Sequence, residues 1–159
     1  MSACEWIRSR LSTSSMLFVL LFGVACSNPV GPNAGPAQLA GNRQMFQTTV
    51  GASYSVRYQN NCFCPTESLQ PVKMTVRNGV ITDIVRTSDG SAVPADNWNA
   101  YRTVDQVFDE IGKGFATGAR RIDVNYHTQY GYPLNVLVDY QMAADAFVGF
   151  QLSDLTPLR

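Results

Sequence analysis

Cys62 and Cys64, one residue apart with Phe63 between them and Pro65 behind, carry the most obvious reactivity in this sequence. On an extended chain their Cα atoms would lie about 6.6 Å apart, near the long edge of what a disulfide spans. A bond there needs a kink, while Pro65 pushes Cys64 towards extended geometry. Three chemistries stay open: a local structural bridge, a strained and easily reduced redox pair, or two thiolates holding a soft ion such as copper(I). Zinc asks for four ligands, and the one histidine, His127, lies more than sixty residues along the chain. A Cys/His nucleophile needs contact and an orienting third group, for which the spacing gives no sign; His127 alternates onto the polar side of its strand, as a solvated residue does. Asp123, Asp139 and Asp145 are dispersed, without the pairing that glycoside hydrolysis requires. No catalytic residue, metal site or cofactor is assigned.

A second group of residues suits recognition rather than reaction. Tyr130-Gly131-Tyr132-Pro133 reads as a turn carrying two tyrosines, which offer apolar area and a hydroxyl at small entropic cost on binding. Trp98 could join such a surface. The alternative is structural: Gly131 supplies an unusual backbone angle, the tyrosines cover the sheet, and Trp98 caps the core.

The amino-terminal segment reads as an address. Arg8 and Arg10 precede the apolar run Met16 to Ala25, which ends at Cys26; this is the grammar of a signal peptide. The run is about half of the roughly 20 residues that cross a bilayer. Loss of residues 1–25 removes Cys4 and leaves Cys26, Cys62 and Cys64, an odd count in an oxidising compartment. Lipidation of Cys26 removes the odd thiol. The segment Phe22 to Cys26 resembles the bacterial lipobox, with Gly23 where that pattern usually has leucine, and Ser27 resembles the outer-membrane sorting pattern of Gram-negative bacteria. The expectation is an exported protein held to a membrane by its lipid, facing the periplasm from the outer membrane in a Gram-negative cell. Residues 26–41, rich in proline and glycine, form the lipidated cysteine and a flexible tether.

Beyond the tether the pattern describes one domain over residues 42–152, with 153–159 a fraying tail. A chain of 159 residues with 45% apolar content suffices for one core. A formal net charge of zero and the lack of any basic run argue against nucleic acid as partner. Asn42 can cap a short helix. Tyr54, Val56 and Tyr58 alternate with polar residues, as do Val72, Met74 and Val76 before Asn78-Gly79, a type I′ turn signal. A two-residue hairpin would set Val76 opposite Ile81, Val72 opposite Val85 and Ile84 opposite Lys73. Asp83 then falls opposite Met74, a misfit that a bulge would relieve. Residues 88–99 read as a long loop. Thr103 and Gln106 form a capping box for a helix whose Val104, Val107, Phe108, Ile111 and Phe115 make one apolar stripe, stopped at Gly118. A second hairpin follows around the tyrosine turn, and Ala146, Val148, Phe150 and Leu152 suggest a last strand. The fold class is α+β: an antiparallel sheet of about five to six strands, one main helix on a face and a short N-terminal helix.

Asn42-Arg43, Tyr54 to Tyr58, Cys62-Phe63-Cys64-Pro65, Val76 to Val80, the Thr103 helix and Tyr130-Gly131-Tyr132-Pro133, taken in order, resemble an uncharacterised bacterial family, domain of unknown function 6174. The likeness runs from Asn42 to Phe150, with Met45-Phe46 where that group carries tryptophan. It implies exported, often lipid-anchored proteins without an assigned activity, and it carries over no catalytic residue. The functional expectation is a non-catalytic binding or structural module of the envelope, partnered by the membrane through its lipid and by an envelope protein. The alternative is a thiol redox or metal-handling protein using Cys62 and Cys64.

Overall fold

The computed structural model describes residues 35–140 and 147–159. Cys26, the signal segment, the first part of the tether, Asp145 and Ala146 lie outside the described residues. The chain runs α1 (Pro36–Thr49), β1 (Tyr54–Cys62), β2 (Val72–Arg77), β3 (Val80–Arg86), α2 (Val104–Thr117), β4 (Arg121–Tyr126), β5 (Pro133–Asp139) and β6 (Phe147–Pro157). Single 3-10 segments cover Thr66–Leu69 and Ala95–Ala100. The six strands form one antiparallel sheet in the order β3-β2-β1-β6-β5-β4. Period-two alternation decides which face is dry. Tyr54, Val56, Tyr58, Val72, Met74, Val76, Val136, Val138, Phe150 and Leu152 are buried together with the α2 stripe Val104, Val107, Phe108 and Ile111. Arg57, Lys73, Arg77, Asn125, Asn135 and Gln151 on the other face are exposed.

The β2–β3 hairpin turns on Asn78 and Gly79, both at positive φ (51° and 78°). Val76 faces Ile81, but the register then slips, so that Thr75 faces Asp83, Met74 faces Ile84 and Val72 faces Arg86. The bulge corrects the uninterrupted pairing. It moves Asp83 away from Met74 and turns Ile84 into the core, where it is fully buried.

Helix α2 has the capping box in full: Gln106 N donates to Thr103 Oγ1 at 3.3 Å and Thr103 N donates to Gln106 Oε1 at 2.9 Å. A further amide at this end, Val104 N, donates to the hydroxyl of buried Tyr54 at 2.8 Å. Gly118, in the left-handed region, ends the helix.

Two boundaries differ from the sequence expectation. Helix α1 begins at Pro36, so Asn42 lies inside it rather than capping it, and residues 36–41 belong to the helix rather than the tether. Proline suits a first helical position, and a helix this short gains most of its stability from docking. Arg43 reaches Asp109 at 2.7 Å and Asp105 at 3.5 Å, its guanidinium lies 5.8 Å from the Phe108 ring centre, and Phe46 packs edge-on against Tyr54. The carboxy terminus is not a fraying tail. β6 continues to Pro157, paired with Tyr54, because β1 lies inside the sheet and its backbone groups need a partner on both sides.

Candidate functional site

Strand β1 ends at the cysteine pair. Cys62 and Cys64 are joined by a disulfide with their Cα atoms 5.3 Å apart, so the chain kinks as a bond at this spacing requires. Both cysteines are half-buried, while Phe63 stands 84% exposed. Neighbouring β6 approaches closely here: a Cβ on Gly149 would sit 2.7 Å from the carbonyl oxygen of Asn61.

Beside this loop lies a cleft of about 400 Å³ between the two 3-10 segments, walled by Pro65, Glu67, Arg86, Val93, Asn97 and Tyr101 among others. Asn60 holds it together. This residue continues the inward parity of Tyr54, Val56 and Tyr58 and is 4% exposed, so its amide must find partners inside the protein. Its Nδ2 donates to Ser68 O at 3.0 Å and to Ala100 O at 3.1 Å, one carbonyl on each side of the cleft, and its Oδ1 accepts from the Tyr58 hydroxyl at 2.9 Å. Gln59 adds a bond to Leu69 O at 3.1 Å. On the far wall Trp98 Nε1 donates to Val93 O at 2.9 Å, and Arg86 Nη1 donates to Ser91 Oγ and Ala92 O at 3.1 and 3.2 Å. Residues 88–99 are thus not a loose loop: they bridge back to β3 and end in a 3-10 segment. Burial pushes the Tyr101 phenol up, opposed by the nearby Arg86 guanidinium, so at neutral pH it offers a neutral hydroxyl.

The cleft joins apolar patches to one guanidinium, one carboxylate, two amides and a phenol. Its volume is in the range of small-molecule sites. Apolar patches set beside a few fixed polar groups can recognise a small molecule.

The remaining predicted site residues lie elsewhere. By register, Cys62 faces Val148, which faces Val138, which faces Ile122. His127 sits five positions beyond Ile122 and three strands across, on the order of 20 Å from Cys62. The histidine and the cysteines therefore cannot share an ion. Among the described residues no three of His, Cys, Asp or Glu are grouped to hold a metal.

His127 is not on the solvated strand face: β4 stops at Tyr126 and His127 closes the turn. Its Nδ1 accepts from the amides of Gln129 and Tyr130, both at 3.2 Å, and its ring stacks on Tyr130 and Tyr132 at 5.1 and 5.0 Å. Tyr132 is buried, and Tyr130 is half-buried and packed on the core. Gly131, at φ +72°, lets the turn press on α1, where an added Cβ would collide with the carbonyl oxygen of Asn42. Trp98 is half-buried as well. The tyrosine turn thus seats α1, while Trp98 packs on the core and ties the second 3-10 segment to Val93 through its indole N–H.

Sequence reasoning passes over Asn60, Arg86 and Tyr101. One signal is readable: a polar residue at an inward position of a strand is the informative exception in a core, and Asn60 is that exception.

A two-layer α+β domain, helices on one face of an antiparallel sheet, with a disulfide-closed loop beside a small polar-walled cleft is the class of protein these features define. The chain belongs to a family of unknown function (DUF6174), whose model matches residues 38–157. The matched span starts inside α1 and ends with β6, so both are part of the family's unit. No curated protein and no solved structure matches the chain.

Proposed function

We propose that this protein is exported, held to a bacterial membrane by acyl chains on Cys26, and acts there as a non-catalytic binding module. The bond between Cys62 and Cys64 carries the reading. Disulfides persist in oxidising compartments, and pairing these two leaves Cys26 the lone thiol of a chain trimmed before it. Acylation gives that thiol a use. No helix among the described residues is long and apolar enough to cross a membrane, so attachment by an α-helical span would have to come from outside them. The cleft beside the disulfide supports recognition of a small molecule bearing polar groups. In a Gram-negative cell the domain faces the periplasm from the outer membrane.

Fractionation of cells expressing the full chain tests this directly. The wild-type protein is expected in the membrane fraction, and Cys26→Ala is expected to leave it. Retention of Cys26→Ala in the membrane at wild-type level overturns the anchor.

A second reading, thiol redox chemistry, draws on one observation: the bridge spans a single residue and both sulfur-bearing residues are half-exposed. Titrating free thiols after mild dithiothreitol treatment separates the two. A bridge that resists the reductant removes the redox reading.

A further inference from the structure

We infer that Phe63 is a membrane-contact residue, seated in the interfacial region of the same bilayer that holds the lipid anchor. The inference rests on the anchored reading above. Phe63 sits between the two bonded cysteines, in a loop that the bond closes, and is 84% exposed. An aromatic ring held out on a fixed loop is costly in water and suits the boundary between head groups and acyl chains.

The position of the tether gives the direction. Leu39, Arg43 and Gln47 of α1 meet Gly112, Asp109 and Asp105 of α2 in turn, so the two helices run antiparallel. Pro36 therefore lies at the end of the domain where α2 finishes. Gly114, near that finish, packs on Val138 and Ile122, which stand in register with Cys62. The chain thus comes into the domain at the end of the sheet that carries Phe63. From Cys26 to Pro36 the backbone spans at most about 35 Å, and the tether joins the domain at this end, so Phe63 lies within reach of the bilayer that holds the anchor. The opposite end, with the Asn78-Gly79 turn, carries Val80, which at 64% is the next most exposed large apolar residue among the described residues.

Charge does not explain a contact here. Arg120 and Arg121 at this end are paired with Asp139 and Asp123 at 3.3 and 2.6 Å, and the exposed Glu67 disfavours anionic lipid. The contact is apolar, so it should form on zwitterionic vesicles and change little with salt.

Phe63→Trp and Val80→Trp, each in a Trp98→Phe background, place one tryptophan of the mature chain at either end. The lipidated proteins are reconstituted into phosphatidylcholine vesicles with brominated acyl chains. A parallel set, with an amino-terminal histidine tag in place of Cys26, is captured on the same vesicles through a nickel-chelating lipid. In both sets the Phe63→Trp protein is expected to shift its emission to the blue and lose several-fold more of it than the Val80→Trp protein. Equal quenching of the two variants, or no quenching of Phe63→Trp, overturns the inference. The tagged set gives this answer even where Cys26 proves unacylated, so loss of the anchor reading and loss of the Phe63 contact are told apart.

Discussion

Replacing Gly131 by alanine tests whether the tyrosine turn exists to seat α1. The magnitude has two parts. Gly131 lies at φ +72°, where an L-residue costs about 1 to 2 kcal/mol. The new Cβ would also collide with Asn42 O and lie 3.0 Å from Met45 Cβ and 3.1 Å from Phe46 N. Two of these neighbours are backbone atoms of a docked helix, so relief requires moving the helix or the turn, at about 1 to 3 kcal/mol. Gly51 supplies the control, because it has nearly the same φ of +78° and nothing within 4 Å of the added atom. Gly51→Ala therefore carries the first cost alone. The sum for Gly131→Ala is about 2 to 5 kcal/mol, a large share of a typical domain's stability, and a fall in Tm of roughly 10 °C. Urea titration with both variants gives the difference. Free energies of unfolding for the two alanine variants that agree within about 0.5 kcal/mol would refute the close approach of turn and helix.

Asn60→Ala should cost about 2 to 4 kcal/mol, because it leaves the proton of the buried Tyr58 hydroxyl without its acceptor and two carbonyls without their donor; amide exchange should rise on both 3-10 segments, and unchanged protection there would contradict the tie. Thr103→Ala should lower stability by about 1 kcal/mol through loss of the capping box, measured by thermal melting. Alkaline pH should destabilise the fold: burial pushes the Tyr126 phenol up to about 12, and Tyr54 and Tyr58 are raised further. An acid whose folded pKa lies above its unfolded value of about 10 favours the fold fully below that pH and loses the contribution as pH climbs towards the folded value. Stability should therefore fall between about pH 10 and 12, with phenolate absorbance appearing late in the native protein.

Much of this fold is readable in advance because its strongest signals are local. Asn78-Gly79 and the Thr103/Gln106 box each specify geometry within a few residues, and both stand as read. Signals that depend on partners are less legible. The helical stretch from Pro36 has one fully buried side chain, Phe46, so no apolar stripe announces it; docking on Phe108 and the Arg43 ion pairs hold it. The slip that turns Ile84 inward depends on which residue meets Met74 across the hairpin. For Tyr130 and Tyr132 the sequence leaves open a binding surface or a cover for the sheet, because α1, which packs on their turn, comes from a region whose start reads as tether. The cleft is the least legible part, since its walls come from separate segments joined through Asn60.

Acylation at Cys26 after export is the central claim, and intact-mass measurement of the purified full-length product tests it most directly. The account predicts a chain beginning at Cys26, heavier than its residues by a diacylglyceryl group and attached acyl chains, with Cys62 and Cys64 two hydrogens lighter as a disulfide. An unmodified chain beginning at Met1, recovered with four free thiols, would contradict it.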